Sequence, residues 1–149
     1  MPNPPFVESM QTLNALVQAA RTLPTACPDR IALFGHSRGG GAILNYIVRA
    51  ANVGAAVLNS AGYPSDLSPQ VKAPILMLHG TADSPADGGS ELTSVQKARD
   101  FEEKLRMAGK PVEAVYYDGG RHNDIFSSST QYRDELQRMQ AFLLSHLRD

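Results

Sequence analysis

The stretch Arg30-Ile31-Ala32-Leu33-Phe34-Gly35-His36-Ser37-Arg38-Gly39-Gly40 decides how this chain reads. Ile31 to Phe34 form a short apolar run ending at Gly35, with the length and flanks of a buried strand. Gly39-Gly40-Gly41 follows, and Ala42-Ile43-Leu44-Asn45-Tyr46-Ile47-Val48 then reads as a helix that is apolar on most sides. Ser37 therefore stands on a strand-to-helix turn, inside the spacing G-x-S-x-G. Such a turn is tight and strained, and side chains at its flanking glycines are expected to collide with neighbouring elements. The plainer alternative is a glycine-rich turn that only lets helix and strand pack closely.

The same alternation continues outward. Upstream, Met10, Leu13, Val17 and Ala20, with Leu16 beside them, recur at helical spacing, and Pro24 and Pro28 bracket the loop that follows. The prolines within the first five residues predict an extended or loose start. Downstream, Ala55-Ala56-Val57-Leu58-Asn59 reads as a second strand and Pro74-Ile75-Leu76-Met77-Leu78-His79 as a third. From Leu92 to Met107, Val95, Ala98, Phe101 and Leu105 form one helical face, and Gly109 ends it. Val112-Glu113-Ala114-Val115-Tyr116-Tyr117 is a fourth strand. The last helix carries Tyr132, Leu136, Met139, Leu143 and Leu147. Strands alternating with helices predict one α/β domain over residues 1–149, a three-layer sandwich with a short, mostly parallel sheet of about four strands.

In such sheets, chemistry collects at the carboxyl ends of the strands. Ser37 follows the first strand. Asp83 follows the third, in His79-Gly80-Thr81-Ala82-Asp83, and His122 follows the fourth, in Asp118-Gly119-Gly120-Arg121-His122. A hydroxyl is a weak nucleophile until a base takes its proton, and an imidazole does this near neutral pH. A carboxylate on the other ring nitrogen fixes the tautomer and stabilises the imidazolium. The backbone N–H of Arg38, at a helix N-terminus, favours a developing oxyanion. The candidate catalytic residues are thus Ser37, Asp83 and His122, with Arg38 N–H as an oxyanion donor. Asp87 is the rival acid. Asp118 and Asp124 read as turn residues, His79 as a structural hydrogen-bonding group and His146 as solvated. His36 has two readings, lining the site or packing under the turn.

These segments, with the helix-to-strand stretch Phe101–Val112, resemble the α/β-hydrolase family, and within it the dienelactone-hydrolase-like and small esterase members. The resemblance spans nearly the whole chain from about residue 10. It implies Ser37 as nucleophile, Asp83 as acid partner, His122 as base and Arg38 N–H as one oxyanion donor. The dienelactone hydrolases proper carry a cysteine where this chain has Ser37, which points to a general esterase. The resemblance is to the C-terminal half of the fold, because the family's eight strands are represented by what read as the last four. The half not represented normally supplies the second oxyanion N–H and the neighbour of the strand before Ser37. A second copy of the chain covering Arg30–Phe34 is therefore expected, in a homodimer or higher homo-oligomer. Light scattering tests it, and a monodisperse monomer at micromolar concentration contradicts it. The Asn3–Phe6 segment is the alternative source of the missing donor.

Composition narrows the rest. With 42% hydrophobic and 19% charged residues the chain can form a core, and a formal charge of −1 gives no footprint for nucleic acid or an anionic membrane. The single Cys27 allows no internal disulfide and is expected to pack as a small hydrophobe. Four histidines with no H-x-H or H-E-x-x-H spacing point to no metal, and no cofactor is expected. Met1-Pro2-Asn3-Pro4-Pro5 is neither basic nor apolar, which favours a cytoplasmic setting over a signal peptide. The expected activity is hydrolysis of small or accessible carboxylic esters through an acyl-enzyme, with a small-molecule ester as the partner. Two other readings stay open: a non-catalytic or incomplete module, and a peptidase or acyltransferase on the same residues.

Overall fold

A computed structural model describes residues 4–127 and 130–147. Four strands, β1 (Ala32–His36), β2 (Ala55–Asn59), β3 (Ile75–Gly80) and β4 (Val112–Tyr117), form a single sheet in the order β1-β2-β3-β4. Every neighbouring pair is parallel. The expected bounds of β2 and β4 agree with those observed, while β1 and β3 each begin and end slightly later.

The order explains the layering. Strands added in one direction through right-handed crossovers place every crossover on the same face of the sheet. That face carries α2 (Arg38–Ile47), α3 (Val95–Met107) and the 3-10 turn Ser65–Gln70, together with α1 (Pro4–Arg21). Ile43, Leu44 and Ile47 of α2 and Ala98, Phe101 and Leu105 of α3 pack there against Ala56, Leu58, Ile75 and Met77. After β4 the chain returns as α4 (Thr130–Leu147) over the opposite face, where Phe142 meets Ala55, Val57, Leu76 and Leu78. The two-residue strand period thus divides β2 and β3 between two cores, and both strands are buried along their whole length.

Several sequence expectations shift. The chain is helical from Pro4, because the missing N–H and fixed φ of proline suit a first helical turn; Met1 to Asn3 lie outside the described residues, and with them part of the Asn3–Phe6 segment. Leu16 faces solvent, while Val17 of α1 is buried. Gly39-Gly40-Gly41 lies inside α2, and Leu92 belongs to a separate 3-10 turn, Glu91–Thr93. Along α4 the buried residues are Phe142 and Glu135, while Leu136 is 43% exposed. Cys27 is exposed, against the packed role expected of it.

β1 forms one edge of the sheet. The Ser37 N–H reaches Asn59 O at 2.9 Å, and the Gly54 N–H reaches Ile31 O at 2.7 Å. In a parallel strand the intervening residues then aim their backbone groups away from β2, so Ala32, Phe34 and His36 present the edge. Phe34, an apolar ring at this edge, is 49% exposed.

Candidate active site

The turn after β1 puts Ser37 at φ 53°, ψ −119°, in the left-handed region that non-glycine residues avoid. Two backbone bonds hold it there: its own N–H to Asn59 O, and the Gly41 N–H to Ser37 O at 3.1 Å, the latter opening α2. The N–H groups of Arg38, Gly39 and Gly40 precede the first intrahelical bond, at the helix N-terminus.

The glycines around Ser37 are not equivalent. A Cβ on Gly35 would lie 2.6 Å from the Gly39 carbonyl carbon, and one on Gly40 would lie 2.6 Å from the Ala61 Cβ. A Cβ on Gly39 would meet nothing within 4 Å. The expected collision therefore holds for Gly35 and fails for Gly39, whose backbone is the obstacle and not the victim. Gly39→Ala should fold with stability equal to the parent's or higher by up to about 1 kcal/mol, since alanine suits a helix better. A thermal melt checks this; a large loss of melting temperature contradicts it.

Three strand ends converge on one hydrogen-bonded relay. His122 Nε2 lies 2.8 Å from Ser37 Oγ, and His122 Nδ1 lies 2.8 Å from Asp83 Oδ2. The carboxylate only accepts, so Nδ1 carries the proton and Nε2 is left to receive the Ser37 hydroxyl hydrogen. His122 is 2% exposed and Asp83 8%, while Ser37 is half-buried. The rival Asp87 is placed elsewhere, accepting from Ser84 Oγ at 3.3 Å with Arg121 3.9 Å away. Asp124 accepts the Arg121 N–H at 2.8 Å within its own turn, and Asp118 accepts from Thr81 Oγ1 at 3.3 Å, joining the turns after β4 and β3.

Residues not singled out from sequence complete the surroundings. Thr93 Oγ1 donates to Asp83 Oδ1 at 3.1 Å and is itself held by the Ser90 N–H at 2.8 Å. The Ser90-x-x-Thr93 spacing of a capping box was the available signal. Gly89 backs the same carboxylate, since a Cβ there would run into Asp83 Oδ1. His79, fully buried, donates from Nε2 to Thr93 O at 2.7 Å and lies 3.4 Å from Asp83 Oδ2. This is the structural hydrogen bond expected of it. Burial lowers the His79 pKa, against the opposing pull of the Thr93 bond and Asp83, and its Nδ1 has no hydrogen-bond partner among the described residues. On the other side of Ser37, Asn59 ends β2 and Glu135 lies beneath it, 1% exposed, accepting from Asn59 Nδ2 at 3.1 Å and Gln131 Nε2 at 2.9 Å. Burial raises the Glu135 pKa and the two amide bonds oppose the shift. Asn59 was findable as a polar residue at a strand's carboxyl end.

Two surface depressions lie around Pro69 and Lys104 and around Pro74 and Pro111, at the other end of the sheet, and none of the relay residues lines them. Only Ser60 to Pro74 separate β2 from β3, and the 3-10 turn in that connection packs on α3.

A parallel sheet flanked by helices, with serine, carboxylate and imidazole at its strand ends, is the architecture of the α/β-hydrolases. The profile of the dienelactone hydrolase family matches residues 6–142, and the chain belongs to that family. Its fold is similar to that of a protein described as a dienelactone hydrolase from Klebsiella pneumoniae, with 21% identity and a TM-score of 0.75. A puromycin-hydrolyzing peptidase from Mycobacterium tuberculosis superposes with a TM-score of 0.80 at 17% identity, and an acylaminoacyl peptidase from Pyrococcus horikoshii with 0.77 at 18%. These matches cover 90%, 93% and 92% of this chain but 59%, 26% and 27% of the respective proteins. No curated protein matches the sequence at a significant level.

Proposed function

We propose that the protein is a serine hydrolase that cleaves carboxylic esters of small or accessible substrates through an acyl-enzyme on Ser37. The unbroken relay from Ser37 Oγ through His122 to Asp83 carries this reading. Ser37 Oγ bonds to the ester carbonyl carbon as its proton passes to His122 Nε2. The carbonyl electrons move onto oxygen, where the Arg38 N–H donates to the oxyanion. When the oxyanion collapses, the carbon–alkoxy bond breaks and the alcohol leaves with the proton from His122. Water then attacks the acyl group, again through His122, and releases the carboxylic acid. Asp83 keeps the imidazole in the required tautomer and stabilises its cation. Thr93 and Gly89 hold that carboxylate.

The short connection between β2 and β3, packed on α3, supports small or accessible substrates. In this proposal the second oxyanion donor comes from across the open β1 edge, where a second copy of the chain pairs. A fluorophosphonate probe should label the protein on Ser37, and short-chain nitrophenyl esters should turn over faster than peptide nitroanilides. A protein that the probe never labels is the non-catalytic module instead. A preference for the anilides replaces the esterase reading with a peptidase.

A further inference from the structure

Next to the Ser37 relay lies a second set of hydrogen bonds that the proposed chemistry does not use, and it is centred on His36. The His36 Nδ1 lies 2.7 Å from Asn59 Oδ1. The Asn59 amide is oriented by its own donation to the buried Glu135, so it turns its oxygen toward His36. The Asn59 carbonyl also receives the Ser37 N–H, so one residue anchors both the His36 ring and the Ser37 backbone. The other ring nitrogen, His36 Nε2, lies 3.2 Å from Asn123 Oδ1; both amide oxygens accept, so the two contacts are hydrogen bonds together only when the ring carries a proton on each nitrogen. Asn123 is the residue after His122, and its Nδ2 donates to Asp87 O at 3.0 Å. Gly88, at φ 92°, makes room for that amide, since a Cβ there would lie 2.9 Å from Asn123 Nδ2. The His36 ring also sits with its centroid 4.9 Å from the ring of His122 and 4.9 Å from that of Phe126.

Resting on the Ser37–His122 reading, we propose that His36 is a positioning residue for His122: through Asn123 it ties the loop carrying the base to the strand end carrying Ser37. The reasoning is mechanical. His122 is delivered by a loop between β4 and α4, and a loop needs several anchors to hold a ring within hydrogen-bond reach of Ser37 Oγ. Asp83 fixes the Nδ1 side of His122 but leaves rotation about that bond open. The Asn123 bridge ties the residue next to His122 to His36 at the end of β1 and to Asp87 in the loop after β3 at once. Displacing a reacting group by about 1 Å costs up to about 10²-fold in rate.

The two arms of His36 can be cut separately. Asparagine places an amide where Nδ1 was and keeps the inner contact to Asn59; glutamine reaches the Nε2 position and keeps the outer contact to Asn123. His36→Asn should therefore speed amide hydrogen exchange across residues 121–127 by roughly fivefold. It should slow fluorophosphonate labelling and kcat by about tenfold with KM unchanged. His36→Gln should leave exchange, labelling and kcat within about twofold of the parent on the same argument. Asn123→Ala alters an exposed side chain and should reproduce His36→Asn, which keeps the test decisive if His36→Asn folds poorly. Equal behaviour of the Asn and Gln variants, or exchange that neither His36→Asn nor Asn123→Ala changes, overturns the clamp. A parent protein that is not labelled overturns the hydrolase reading instead, and the exchange comparison still decides the clamp.

Discussion

Ser37→Ala protein should bind no fluorophosphonate and should lose about 10⁶-fold in kcat on a nitrophenyl ester, the scale seen when one member of such a relay is removed. The size follows from how the parts depend on one another. Without Oγ there is no atom for His122 Nε2 to deprotonate 2.8 Å away, and no acyl-enzyme can form. What remains is whatever the helix N-terminus and substrate binding supply to direct attack by water. The fold should survive. The backbone bonds of Ser37 to Asn59 O and from the Gly41 N–H do not involve the hydroxyl, and alanine bears the same left-handed backbone that serine already does. His122→Ala should fall to a similar rate, and the double variant no further, because a relay fails as a unit and not by increments. Parent-level turnover in pure Ser37→Ala protein, with an unchanged thermal melt, contradicts the assignment.

The legible parts of this structure are those governed by short-range rules. Ala55–Asn59 and Val112–Tyr117 could be bounded from sequence because glycine, proline or polar residues close them at both ends. Ser37, Asp83 and His122 could be chosen because each follows a strand that had already been recognised, and parallel strands deliver their ends to one edge. The illegible parts depend on tertiary proximity. Glu135 stands in the polar run Arg133-Asp134-Glu135 of α4 and looks like part of a solvated face until Asn59 and Gln131 are seen around its carboxylate. Thr93 reaches Asp83 across ten residues of turns, a distance no periodicity spans. Gly39 shows the opposite failure. It occupies a motif position, yet the steric demand belongs to Gly35, two residues before the serine in β1, and to Gly40, three residues after it in α2.

Among the glycines, the tightest approach is at Gly80. Gly80 ends β3, and a Cβ added there would drive into the carbonyl of Gly120, which is backbone and cannot rotate aside. The Gly120 carbonyl is itself committed, accepting the Ala82 N–H at 2.9 Å, and the Gly120 N–H is tied to Tyr117 O at 3.1 Å. Neither strand end can yield without breaking these bonds or the β3–β4 pairing, whose register runs to Gly80 opposite Tyr117. Gly80→Ala should therefore cost about 3 kcal/mol, the upper end of ordinary overpacking, and lower the melting temperature by roughly 10 °C. Activity should fall further than stability alone explains. His122 lies two residues beyond Gly120, and Asp83 three beyond Gly80, so the collision pushes base and acid apart at their shared hydrogen bond. At temperatures where the variant is fully folded, kcat should drop by about 10²-fold. Gly39→Ala serves as the matched control, being a glycine of the same strand-end region with open space for its Cβ. A Gly80→Ala protein that melts and turns over like the Gly39→Ala protein would show that the strand ends have slack. The close approach of β3 to the Gly120 turn would then not be what sets the distance between Asp83 and His122.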